Sequence, residues 1–220
     1  LTTFLLAFTA FISIVNPLSS AFIFFSATES FDAQLRKRVA RWVAIYAFAI
    51  VTFSLYIGAY VLEFFGISMP ALRVAGGIII ATSGWHMLHE PDVTEERRQE
   101  GPRFLPKASP SRLAFYPFTM PLTTGPGTIS VAISLGANRP NGYGVALIEF
   151  IVETLAAVAM LAFAIFVAYR NSGWLARTIG PTGTTIIVRI SAFLLFCIGI
   201  QVAWNGASEL LMSLPVLKHG

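Results

Sequence analysis

The residues best placed to do chemistry are hydroxyl side chains set among glycines and prolines inside otherwise apolar sequence. Met120-Pro-Leu-Thr-Thr-Gly-Pro-Gly-Thr-Ile-Ser130 holds two prolines and two glycines, which cannot all continue a regular helix. Asn16-Pro-Leu-Ser-Ser-Ala-Phe22 interrupts an earlier apolar run in the same manner. A helix that restarts after such a break presents unpaired N–H groups and a partial positive charge, which suit a carboxylate. Ser19, Ser20, Thr123, Thr124 and Thr128 add hydroxyls that both donate and accept. Gly125 and Gly127 admit close backbone approach, Pro17 and Pro126 enforce the breaks, and the Asn16 amide can bridge a freed backbone group or meet a ligand. The chemistry expected is the binding of a small polar molecule. The competing reading is that these small residues only let helices pack closely.

Two acids stand out. Glu149 and Glu153 share one helical face, and carboxylates in a membrane segment are candidates for proton carriage. Their alternative is an ion pair with Arg73 or Arg189, the latter also able to snorkel from a membrane edge. His86 and His89 have no cysteine or carboxylate at ligand spacing except Glu90, so an interfacial place is expected and no metal. The single cysteine, Cys197, excludes an internal disulfide and is expected to be a buried, inert thiol. Nucleotide-binding loops, nucleophile elbows and metalloprotease signatures are lacking. Neither enzymatic activity nor a cofactor is therefore expected.

The elements that position these residues follow from composition. The chain has 220 residues, 55% of them hydrophobic and 12% charged. Soluble domains carry about 25% charged residues, so this chain reads as an all-α integral membrane protein. Its net charge of +4 comes from residues clustered beside apolar segments and does not point to nucleic acid. Six apolar segments are predicted, at about 1–27, 39–65, 71–89, 113–137, 143–169 and 184–214. The first has no basic n-region and no small-residue cleavage site, so it is expected to stay as a helix. Residues 28–38, 66–70, 138–142 and 170–183 read as loops, and a kink is expected near Gly206. Phe22, Phe24 and Phe25 are expected to face lipid or pack, and Gly76, Gly77 and Gly84 to allow close helix approach.

Residues 90–112 form the one long hydrophilic stretch and divide the chain into halves, 1–89 and 113–220, within one membrane domain. Asn16-Pro-Leu-Ser-Ser aligns without gaps onto Met120-Pro-Leu-Thr-Thr, and Arg73-Val-Ala-Gly76 corresponds to Arg189-Ile-Ser-Ala192. Three helices per half would place the copies in opposite orientations. The predicted fold is thus six transmembrane helices in two inverted three-helix repeats, with helices 1 and 4 broken. Lys and Arg crowd the loops after segments one, three and five, which puts loop 90–112 in the cytoplasm and both termini outside.

Asn16-Pro17-Leu18, Arg73-Val-Ala-Gly-Gly77 and Pro121-Leu-Thr-Thr-Gly-Pro-Gly-Thr-Ile-Ser130 together resemble the MarC family of bacterial inner-membrane proteins. The likeness extends over essentially the whole chain. It implies an inner-membrane protein, and some members look like transporters of small neutral amino acids. Family members usually carry Gly and a second Pro where this chain has Ser19 and Phe22, which makes its first break the milder. The function expected is secondary transport of a small neutral amino acid or similar metabolite, with the lipid bilayer and, in an oligomer, further copies as partners. The alternative is a non-transporting scaffold or regulatory protein associated with stress or antibiotic resistance.

Overall fold

Prolines, glycines and one asparagine set where the helices of this computed structural model end. It describes residues 1–29, 31–89, 109–140 and 144–213. Their order is α1 (Thr2–Val15), α2 (Pro17–Ala27), α3 (Ala33–Phe64), α4 (Met69–His89), α5 (Pro110–Leu113), α6 (Ala114–Thr123), α7 (Pro126–Ala137), α8 (Val145–Arg170) and α9 (Ser172–Met212). All regular structure among the described residues is helical. Four stretches are long and apolar enough to cross a membrane: Thr2–Ala27, Ala33–Phe64, Val145–Arg170 and Thr182–Met212. Large apolar side chains such as Phe64, Ile148, Phe163 and Phe193 lie on the outside, where a bilayer is their natural solvent.

The interior is built around α3, which packs against α7 on one side and α8 on the other, while α1 lies along α8. Phe11, Phe24, Val43, Val51, Leu55, Phe118, Leu161 and Ile165 form its buried centre. α4 pairs along its length with α9 through small residues. A Cβ on Gly77 would lie 2.3 Å from the Ala203 nitrogen, and one on Gly84 would lie 2.5 Å from that of Phe196. These glycines therefore let two backbones touch, as expected; Gly76 instead admits Ser130 of α7. Arg73 closes the end of this seam, pairing with Glu209 and donating from Nε to Ser134 Oγ at 2.9 Å.

Several boundaries differ from expectation. The loop read over 28–38 is shorter, because Asp32 caps α3 by accepting from the Leu35 N–H at 2.6 Å. α3 thus has 32 residues, about 48 Å, and extends beyond a hydrocarbon layer of about 30 Å. The loop read over 170–183 is helical from Ser172, with one break at Gly180 (φ 74°). Gly206 does not kink α9; it lets the start of α4 approach. Cys197 is exposed rather than buried, because the side of α9 that carries it is not covered by the described residues. Residues 90–108 of the hydrophilic linker, and 141–142 of the turn before α8, lie outside the described residues.

Candidate functional site

The first break is one residue wide. Asn16 adopts the left-handed conformation (φ 43°, ψ 67°), ending α1 through its N–H to the Ile12 carbonyl at 2.9 Å. Asparagine is among the few non-glycine residues that visit this region, and it is also a favoured N-cap. Its Oδ1 accepts from the Ser19 N–H at 3.3 Å, and Pro17 starts α2 with the φ that a first helical position needs.

The second break is broader and begins earlier than Met120. A residue before proline is pushed out of the helical region. Tyr116 (φ −127°, ψ 125°) precedes Pro117 and Met120 (φ −109°, ψ 122°) precedes Pro121, so α6 is wound in wide turns rather than as an α-helix. The last of these turns closes through Thr124 N–H to Thr119 O at 2.8 Å, and α7 restarts at Pro126 with no side-chain cap on Gly125.

Carbonyls at both breaks accept from hydroxyls five residues further on. Ser20 Oγ donates to Val15 O at 2.9 Å, and Thr119, Thr123 and Thr124 donate to Ala114, Phe118 and Thr119 carbonyls at 2.8, 2.6 and 3.2 Å. In a medium without water, such bonds replace or reinforce what regular helix turns would supply. Ser20 and Thr124, aligned by the internal likeness, therefore do the same work.

Tyr169, near the end of α8, joins the breaks. Its hydroxyl is 2.7 Å from Thr123 Oγ1, and Ser20 of the first break stands beside it. Its ring stacks on Phe24 at 4.5 Å, and Phe24 meets Phe118 edge to face at 5.0 Å. All three rings are buried. Tyr169 was not among the expected site residues. Its place beside Arg170 imitates an interfacial aromatic, although it shares the buried stripe of Thr154, Val158, Leu161 and Ile165 on α8.

The remaining expected residues fall in different surroundings. Ser19, Ser20, Thr123, Thr124 and Thr128 are all buried, whereas Pro126 is exposed. Gly127 faces away from the first break, since a Cβ there would lie 2.3 Å from the Ile80 side chain of α4. Phe22 and Phe24 are packing residues, and Phe25 lies under the Arg36 guanidinium at 5.0 Å. Arg36 also donates to the Thr28 carbonyl at 2.7 Å, placing a cation where α2 ends. Glu149 is exposed, and Glu153 accepts from the Phe4 N–H at 3.0 Å in the first turn of α1. It is 16 residues from Tyr169, about 24 Å along α8, so the acids and the hydroxyl cluster are not brought together. Arg73, considered above as a partner for these acids, pairs instead with Glu209.

A helical bundle with long apolar spans, its interior hydroxyls concentrated at two helix breaks, defines a polytopic integral membrane protein. The chain belongs to the MarC family of integral membrane proteins, whose family model matches residues 1–211. It is 32% identical over 206 residues to the UPF0056 inner membrane protein MarC of Salmonella paratyphi A, with 90% of each chain covered. The protein of the same name from Escherichia coli strain SMS-3-5 is 31% identical over 200 residues, again with 90% of each covered. No solved structure matches the chain.

Proposed function

We propose that this chain is a secondary transporter of small neutral amino acids, or polar metabolites of similar size, which binds its substrate between the two helix breaks. The observation that carries this reading is Tyr169, whose hydroxyl bonds to Thr123 of the second break while its ring stacks on Phe24 of α2 within the interior. Discontinuous helices meeting inside a membrane protein are the usual setting of a transported substrate. The shared five-residue reach of Ser20 and Thr124 supports two related halves, 1–89 and 113–220, each of three spans and inverted relative to the other. The Lys and Arg distribution supports an inner-membrane orientation with loop 90–112 in the cytoplasm and both termini outside.

Ser19, Ser20, Thr123 and Thr124 are each at most 6% exposed, so the breaks are closed in this conformation and must part for substrate to enter. The same closure favours the second reading, a scaffold whose breaks are packing devices. Transport by purified protein in liposomes separates the two. Asn16→Ala strains the left-handed residue and removes its cap, and Thr124→Ala removes the hydroxyl bond to the Thr119 carbonyl. The Thr119 carbonyl keeps the residue-124 N–H in the second variant, and each variant is expected to slow amino acid flux about tenfold, an energy of about 1.4 kcal/mol. Unaltered flux in both variants would sink the site assignment.

Proton coupling through Glu153, with Glu149 as the neighbouring acid, is part of this proposal. A charged Glu153 holds the Phe4 N–H in the first turn of α1, and protonation would loosen it. Glu153→Gln is expected to abolish accumulation driven by a pH gradient while leaving exchange of substrate down its own gradient. Full gradient-driven accumulation in that variant would exclude Glu153 as the carrier.

A further inference from the structure

Arg36, near the start of α3, uses part of its guanidinium to close the end of α2. Its Nε donates to Thr28 Oγ1 at 3.2 Å, and its Nη2 to the Thr28 and Phe31 carbonyls at 2.7 and 3.3 Å. Those bonds leave the N–H groups of Nη1, which make no hydrogen bond among the described residues. Nη1 lies against the first turn of α9, where a Cβ on Gly173 would be 3.2 Å from it and 3.2 Å from the Phe25 ring. Arg177 reaches the same glycine, its Nε donating to the Gly173 carbonyl at 2.9 Å. Arg177 is exposed, and its terminal nitrogens make no hydrogen bond among the described residues.

Two guanidinium groups thus meet at one residue. Arg177 is close enough to repel the Arg36 charge, and does so more strongly than either nearby acid, Glu29 or Asp32, attracts it. Among the described residues no carboxylate forms an ion pair with either arginine, and Asp32 is engaged by the Leu35 N–H. α9 begins without a side-chain cap, so the positive end of its dipole adds to the same place. Like charges gathered without a counter-ion repel, and arginine pairs suit a phosphate, which accepts several N–H bonds at once. Trp174, the next residue of α9, and Trp42 of α3 are both exposed, as tryptophans at headgroup depth are.

We infer that Arg36 and Arg177 form a binding site for the phosphate of an anionic phospholipid at the membrane surface. Arg36 Nη1 and the terminal nitrogens of Arg177 are its donors. A bound phosphate links the end of α2, the half-helix that follows the first break, to the start of α9, against which α2 already packs. Such a lipid would serve a transporter and a scaffold alike.

The test is thermal unfolding of the full chain in neutral detergent micelles, titrated with phosphatidylglycerol, with phosphatidylcholine of the same acyl chains, or with inorganic phosphate. Phosphatidylglycerol is expected to raise the melting temperature, at a half-effect concentration well below that of phosphatidylcholine. Arg36→Gln would also uncap α2, so the variant is made at Arg177. Arg177→Gln is expected to raise the phosphatidylglycerol half-effect concentration about fivefold, as the loss of one basic group beside an anionic lipid would. Arg38→Gln, which removes an exposed charge two residues from Arg36, is expected to leave it unchanged. Equal values for the two lipids in wild type, which need no variant, or an unchanged value in Arg177→Gln would overturn the site. An equal rise in Arg38→Gln would also overturn it, by showing a diffuse charge effect. Inorganic phosphate acting at the same concentration as phosphatidylglycerol would overturn the assignment to a lipid.

Discussion

Gly136→Ala is expected to destabilise the protein by about 3 kcal/mol, the upper part of the range for overpacking a core. A Cβ at this position of α7 would lie 1.7 Å from the Leu55 carbonyl oxygen and 2.7 Å from its carbon. Both are backbone atoms of α3, so no side-chain rotation relieves the clash and the two helices must separate. The propensity gain of alanine over glycine in a helix, about 1 kcal/mol, opposes this cost and does not cancel it. Gly58→Ala on the facing helix is the internal comparison. Its Cβ would meet Ile133 side-chain atoms, the closest at 2.3 Å, and a side chain can change rotamer. A cost of about 1 kcal/mol is expected there. Equilibrium unfolding in mixed detergent micelles measures both. Equal costs would mean that backbone contact does not set the spacing of α3 and α7.

Tyr169 separates packing from hydrogen bonding. Tyr169→Ala leaves a cavity between Phe24 and the second break and is expected to cost about 3–5 kcal/mol. Tyr169→Phe keeps the ring. Because the phenol donates in its bond to Thr123, its loss strands no other donor, and Ser20 and Thr123 keep their carbonyl bonds. A cost of about 1 kcal/mol is expected. The substrate flux of Tyr169→Phe should nevertheless change severalfold, since the bond that ties α8 to the second break is gone. Unfolding titrations and liposome flux on the same preparations check this pair. A Phe variant as unstable as the Ala variant would mean that the hydroxyl, and not the ring, holds this part of the bundle together.

The breaks were legible because proline and glycine act locally. Asn16-Pro17 and Gly125-Pro126 stop helices wherever they stand, and Gly77 and Gly84 signal close approach for lack of a side chain. The early start of the second break follows the same rule, since Pro117 and Pro121 displace Tyr116 and Met120. Other features depend on distant partners. Tyr169 reads as an interfacial aromatic until Thr123 and Ser20 are placed against it, and Glu153 finds its partner on α1, 149 residues away. The helix from Ser172 was hidden by Gly180-Pro181, which resembles a loop signal but interrupts the chain at a single residue. Cys197 was misplaced because apolar sequence alone does not distinguish a lipid-facing side from a buried one.

The hydroxyl bonds at the two breaks also bear on how fast they can change. An ordinary helix bond is released only by unwinding its own turn of backbone. A bond from Ser20 or Thr124 is released by rotation about one side-chain torsion, a motion intrinsically on the picosecond-to-nanosecond scale where space allows. The carbonyl it leaves can then be served by a substrate group or an entering water, and the hydroxyl can serve the same visitor. Opening the site would thus proceed by exchange of partners, with the surrounding half-helices moving as rigid rods.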